Sequence, residues 1–208
     1  MDGARVKREL RETYDDKAGT FSRSREQAWP RVEEFCLGRE GGRALDLACG
    51  NGRNVDCLDG FDEVVGVDFS RGMLRRALRR EADFVQADVE FLPFVDAAFD
   101  VCVYVAGLHH LPSRDARRRS LNEVGRVLVA GGEALVSVWA IEHPCFDGER
   151  DGIRRRDGDH YVSLGDRERF YHVFERDEFE TALEESALDV VDVESVEGNY
   201  YAVLRSRP

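Results

Sequence analysis

Lysine is almost missing from this chain. Lys7 and Lys17 are the only two, and every other strongly basic residue is an arginine. Against 42 acids, the 30 basic residues leave a formal charge of -12. Acidic, lysine-poor surfaces keep proteins soluble in a salt-adapted cytoplasm such as that of a halophilic archaeon. A GC-rich genome, which favours arginine codons, gives the same composition without any physical demand. The charge argues against nucleic acid held by global attraction alone. Arginines still cluster locally, at Arg75-Arg76 with Arg79-Arg80, at Arg117-Arg118-Arg119 and at Arg154-Arg155-Arg156. Such runs are ordinarily solvated faces and only sometimes phosphate contacts.

Two further absences narrow the class. The five cysteines are odd in number and never spaced Cys-x-x-Cys, which argues against a disulfide framework and an internal zinc site and favours a reducing cytoplasm. No apolar run approaches a membrane span, and the polar N-terminus carries no expected signal peptide. Repeats and low-complexity segments are lacking, so residues 1–208 are expected to form one domain.

The run Leu45-Asp46-Leu47-Ala48-Cys49-Gly50-Asn51-Gly52-Arg53 reads as an apolar strand opening into a glycine-rich turn. Glycine there lets the backbone approach a ligand where a side chain would block it. A second strand, Val64-Val65-Gly66-Val67, ends in Asp68, placed to accept hydrogen bonds from ribose hydroxyls. An adenosine-bearing cofactor is therefore expected across the carboxyl ends of a parallel sheet. The dinucleotide fingerprint needs a third glycine where Val55 stands. Asp46 would also repel a pyrophosphate, whereas a cofactor with a positive amino-acid tail would welcome it.

The rest of the chain alternates. A polar helix is expected over 3–17, and a second, capped by Ser24, through Trp29 to Leu37, with Pro30 in its first turns. The strand at 43–48 precedes a helix near 52–58. The strand at 63–67 precedes a helix from Arg71, capped by Ser70. Strands follow at 83–86 and 99–105, then a helix from Ser113 to near Leu128 and a strand at 133–139. Residues 141–170 show no clear periodicity and are expected to be a functional loop or insertion on the substrate side. A helix at 176–187 and a hairpin of strands 188–196 and 199–205 complete an α/β fold. It is expected to be Rossmann-like: a mostly parallel seven-stranded sheet with one antiparallel strand and helices on both faces.

Asp88, after the third strand, stands where the Rossmann-like methyltransferase class that this glycine motif resembles places an acid against the adenine amino group, which implies Val89 over the ring. His109 and His110 stand at the end of the fourth strand, where α/β sheets bind ligands; one is expected in the pocket and the other to be structural.

The glycine motif resembles that of S-adenosylmethionine-dependent methyltransferases of the Rossmann-like class, with Ala48 where that class usually has glycine. The N-terminal segment Tyr14 to Arg25, with Trp29-Pro30, Leu108-His109-His110-Leu111, Val138-Trp139-Ala140, Tyr171-His172-Val173-Phe174 and Gly198-Asn199-Tyr200, resembles one family within it. These are the tRNA wobble-uridine carboxymethyl methyltransferases, which esterify the carboxylate of 5-carboxymethyluridine. The resemblance implies S-adenosylmethionine held by Asp46, Ala48, Gly50, Gly52, Asn54, Asp68, Phe69, Asp88, Val89 and Val105. It implies catalytic roles for Arg25, forking onto the carboxylate, for His109 or His172 assisting it, and for Tyr14 closing over cofactor or base. Phe21, His110, Tyr171 and Asn199 would meet the substrate, with Tyr171 stacking on the uracil; no metal is implied in this chain. It also implies two partners, a tRNA anticodon loop and a small zinc-binding activator along the third-strand edge at Phe84 and Val85. Rival readings are a small-molecule methyltransferase with a deep apolar pocket under 141–170, and a non-catalytic adaptor that binds cofactor only to hold its shape.

Overall fold

All of Phe99–Val105 except Asp100 is buried, and its side chains divide by parity. Val101, Val103 and Val105 enter one apolar cluster while Cys102 and Tyr104 enter another. A strand buried on both faces needs helices on both sides, and this is what the computed structural model has. It describes residues 2–23, 25–143, 146, 153–156 (154–156 by backbone alone) and 159–208.

In chain order the elements are α1 Gly3–Arg23, α2 Pro30–Cys36, β1 Arg43–Leu47, β2 Glu63–Asp68, α3 Arg71–Ala77, β3 Asp83–Gln86, β4 Phe99–Val105, α4 Arg114–Val127 and β5 Leu128–Trp139. Then come β6 Ile153–Arg156, β7 Asp159–Leu164, β8 Arg167–Tyr171, α5 Arg176–Glu184, β9 Leu188–Val196 and β10 Asn199–Ser206. The main sheet has seven strands in the order β3-β2-β1-β4-β5-β10-β9. Its neighbours run parallel except at β10, which is antiparallel to both β5 and β9. The expected α/β fold with one reversed strand is thus the fold observed. Chain order reverses between β1 and β4, and the crevice outside their carboxyl ends is the ligand position of such sheets.

One face is covered by α4 and α5 through Leu121, Val124, Phe179 and Leu183; the other is covered by α2 through Val32 and Phe35. Ser70 caps α3 by accepting from the Met73 amide at 3.1 Å, and Ser113 caps α4 by accepting from Ala116 at 3.2 Å, both as expected. The β9–β10 hairpin turns at Glu197 and Gly198, both with positive φ (49° and 75°), as a two-residue turn with matching twist requires.

Several expectations need correction. The first helix runs on to Arg23. The second begins at Pro30 with extended Trp29 (φ -79°, ψ 147°) as its N-cap; the expected cap Ser24 lies outside the described residues. In place of a helix at 52–58 there is one 3₁₀ turn, Val55–Leu58. The expected loop at 141–170 is in part a separate antiparallel sheet of β6, β7 and β8, while 144–145, 147–152 and 157–158 lie outside the described residues. Its β7–β8 turn is Gly165-Asp166, with Gly165 at φ 66°, a hairpin signal the sequence carries openly. Among the described residues no helix is long and apolar enough to cross a membrane.

Candidate functional site

The loop after β1 is shaped by left-handed backbone. Ala48, Gly50 and Gly52 have φ of 57°, 58° and 73°. Ala48 therefore takes the conformation that glycine takes most cheaply. Its methyl group and the Tyr104 ring together exclude a side chain opposite: a Cβ on Gly107 would lie 2.6 Å from each.

Three carboxylates surround this loop. Asp68, at the tip of β2, accepts from the amides of Gly50 (2.9 Å) and Ser70 (2.8 Å). Burial pushes its pKa up to about 6 against those two bonds. Asp46 accepts from Asn54 Nδ2 at 3.1 Å through one oxygen; its other oxygen and Asn54 Oδ1 are buried without a partner. Burial lifts the pKa of Asp46 to about 7. Two orphaned acceptors side by side call for a donor, best a cationic one. Asp88 is half-exposed and pairs with Lys7 Nζ at 2.5 Å. The same ammonium contacts Glu90, which Arg119 holds from the other side at 2.7 Å.

Helix α1 roofs the cavity. Asp15 accepts from Ser70 Oγ and the Gly72 amide, both at 2.7 Å. At the other flank Asp16 pairs with Arg167 at 2.6 Å, and Thr13 Oγ1, which donates to the Glu9 carbonyl at 2.8 Å, lies 3.2 Å from the Glu168 carbonyl. Between them Tyr14 reaches His110. The Phe170 carbonyl can only accept, so His110 Nδ1 donates to it (2.8 Å), and Nε2 accepts from the Tyr14 hydroxyl (2.9 Å). Burial holds this imidazole neutral, its pKa lowered to about 3.

The cavity under that roof is lined by Tyr14, Phe21, Ala48, Gly50, Asn54, Asp68, Phe69, Asp88, Val89, Val105 and His110. The structure therefore brings most of the expected cofactor and substrate residues to one place. Gly52 lies beneath the loop, where an added Cβ would meet Ala77, and Asp46 is fully buried behind it. Acids at two strand tips, apolar walls at Val89 and Val105, and the orphaned Asp46 oxygen suit a molecule with a sugar, an aromatic ring and a cationic end.

A second concavity adjoins the first. This open groove is lined by Arg23, Arg25, Arg31 and Arg53, by Trp29, Trp139 and Tyr201, and by Glu26, Glu197 and Asn199. Arg25 lies over the Phe21 ring at 4.2 Å, and its carbonyl accepts from Asn51 Nδ2 at 2.8 Å.

Three residues expected at the reacting groups lie elsewhere. His109 is buried, and its Nδ1 accepts from the Trp139 amide at 3.0 Å; of the two histidines, it is His110 that lines the cavity. Tyr171 is 3% exposed and stacks on Trp139 at 4.3 Å with planes 8° apart. Its other side packs on His109 and His110, so neither face is open to a base. His172 is fixed between Asp159 (2.9 Å) and Glu178 (2.7 Å). Burial pulls its pKa down, but the two carboxylates hold it above the ordinary value. Sequence reasoning overlooked Lys7 and Arg53; the scarcity of lysine and a basic residue directly after Gly52 were the available signals.

A family model described as a methyltransferase domain matches residues 45–136. Over 203 residues the chain is 32% identical to a putative methyltransferase of Encephalitozoon cuniculi, covering 92% of each protein. It is 33% identical over 134 residues to the tRNA (carboxymethyluridine(34)-5-O)-methyltransferase of Xenopus tropicalis, a match spanning 64% of this chain and 21% of that protein. Among solved structures, the putative methyltransferase in complex with the Haloferax volcanii Trm112 activator superposes with a TM-score of 0.75 at 17% identity. That likeness covers 96% of this chain and 98% of the other and bears on the fold.

Proposed function

We propose, from the premise that this chain belongs to the S-adenosylmethionine-dependent methyltransferases, that it esterifies the carboxylate of a 5-carboxymethyl wobble uridine in tRNA. S-adenosylmethionine is the cofactor, and it supplies a methyl group made electrophilic by sulfonium. The residues fit it. Asp68 would receive the ribose, Asp88 and Val89 the adenine, and the orphaned oxygens of Asp46 and Asn54 the ammonium end.

One observation carries the acceptor reading. The cofactor cavity opens beside a groove rimmed by four arginines around Trp29, Trp139 and Tyr201. An open cationic and aromatic mouth suits a nucleotide in a chain, whereas a small-molecule enzyme would close a deep apolar pocket. The carboxylate is already an anion, so the chain need not supply a strong base. His110 fits that demand, because its Nε2 is occupied by Tyr14 and burial keeps it neutral. The pair instead orients the roof over the reacting groups and excludes water. The Xenopus relative, named for this reaction, supports the same acceptor.

The proposal extends to a partner. Among the described residues β3 has a neighbour only on its β2 side, and Phe91, which bridges to Asp88 just beyond β3, is 67% exposed. An edge strand beside exposed apolar side chains favours strand addition by a partner. A small zinc-binding activator along Phe84 and Val85 is that partner, a reading supported by the activator complex of the structural relative. Purified protein, with and without such an activator, is incubated with labelled S-adenosylmethionine and tRNA carrying 5-carboxymethyluridine. Label in the wobble nucleoside as a base-labile ester supports the reading; transfer only to small metabolites removes it.

A further inference from the structure

The two concavities meet at one side chain. Arg53 follows Gly52 in the glycine loop and lines both the cofactor cavity and the groove. Its guanidinium carbon lies 4.4 Å from the centre of the Trp29 ring. Of the other groove arginines, Arg31 pairs with Glu194, Arg23 reaches Thr20 Oγ1 at 3.4 Å, and Arg25 lies over the Phe21 ring. Among the described residues Arg53 enters no ion pair and no hydrogen bond.

Burial lowers the pKa of Arg53, and the negative charge that most offsets this is Asp46, beyond ion-pair reach. A partly desolvated guanidinium with no protein partner binds an anion more strongly than a fully solvated one does. Stacking on indole covers a face of the group and leaves the N–H edge for a forked contact. A carboxylate presents two oxygens at the matching spacing. The entrance from groove to cavity is also where an acceptor must sit if its oxygen is to meet a methyl group held on the other side.

We infer that Arg53 is the anchor for the acceptor's carboxylate, drawing the acid form of the wobble base to the junction of the two concavities. The inference rests on the carboxylate-methylation reading above. It adds two properties. Uridine without the carboxymethyl group is selected against because Arg53 stays unpaired. The methyl ester is neutral, so it loses the charge-assisted contact and leaves more readily than the acid enters.

The test uses binding, with activity as a second readout. Three anticodon stem-loops, identical except for 5-carboxymethyluridine, its methyl ester or uridine at the wobble position, are titrated against the full chain. Wild type is expected to prefer the acid by about tenfold to a hundredfold, the range of one charge-assisted pair. Arg53→Gln is expected to bind all three alike, and Arg53→Lys to keep part of the preference. S-adenosylhomocysteine binding reports that the cavity is intact in both variants. Arg25→Gln is expected to weaken all three loops while preserving their ratio.

A preference that survives in Arg53→Gln, or that disappears in Arg25→Gln instead, overturns the anchor and leaves the tRNA reading standing. Wild-type methylation of the acid loop without any binding preference does the same. If wild type neither prefers nor methylates the acid loop, the substrate reading falls and the anchor falls with it.

Discussion

The two halves of this site are built by different means. On the cofactor side, backbone does most of the work. A left-handed loop and the amides of Gly50 and Ser70 hold Asp68 in place. On the acceptor side, the surfaces come from side chains on the segment joining α1 to α2 and on the ends of β5 and β10, with Arg53 reaching in from the glycine loop and Tyr171 of β8 backing Trp139. A backbone-built site varies little because most of its parts are not side chains. A side-chain-built site is free to change its acceptor without disturbing the fold.

Removing the central carboxylate of the first half sharpens this contrast most. Asp68→Ala strips the acceptor from two buried amides as well as from the ribose. S-adenosylhomocysteine affinity should fall about a hundredfold, near 2.7 kcal/mol, as read by calorimetry. Next is Tyr171, which the structure assigns to the core that supports the acceptor half. Tyr171→Leu should cost about 2 kcal/mol of stability through lost packing and stacking, visible as a lowered Tm. A changed KM for tRNA at unchanged Tm would return this ring to the substrate.

Tyr14→Phe breaks the contact between roof and His110 at the seam of the two halves. About 1 kcal/mol is at stake, so methyl transfer should drop several-fold while S-adenosylhomocysteine binding stays nearly constant. Equal losses in both would place the hydroxyl on the cofactor instead.

The smallest effect concerns pH. The folded pKa of His172 is raised by Asp159 and Glu178. Its contribution is therefore fully present below the unfolded value of about 6.5 and is lost as pH rises through the folded value. Comparing Tm against pH for wild type and His172→Gln should show the wild-type advantage shrinking as pH rises above about 6.5. Parallel curves would mean that the two carboxylates do not couple to the imidazole.

The same division explains what was legible in the sequence. The parallel strands read as apolar runs, so the fold followed from local pattern, as did the places of Asp46, Gly50, Gly52 and Asp68 at the strand ends; Asn54, Phe69, Asp88 and Val105 came from the family resemblance. The small sheet did not, because β7 is only partly buried and its alternation is weak. Its Gly165-Asp166 turn was the signal to follow. Which of His109 and His110 faces the cavity was beyond local pattern, since one short 3₁₀ turn, Leu108–His110, sends the two rings to different partners. Nor does spacing reveal that the two lysines both fasten α1, Lys7 to Asp88 and Lys17 to Asp166.

The central claim is methylation of a wobble-uridine carboxylate, and nucleoside mass spectrometry of total tRNA from a strain lacking this gene tests it most directly. In that strain a methyl-esterified wobble uridine is expected to disappear and its free carboxylate to accumulate, with recovery by the wild-type gene and not by its Asp68→Ala form. An unchanged tRNA nucleoside profile would contradict it.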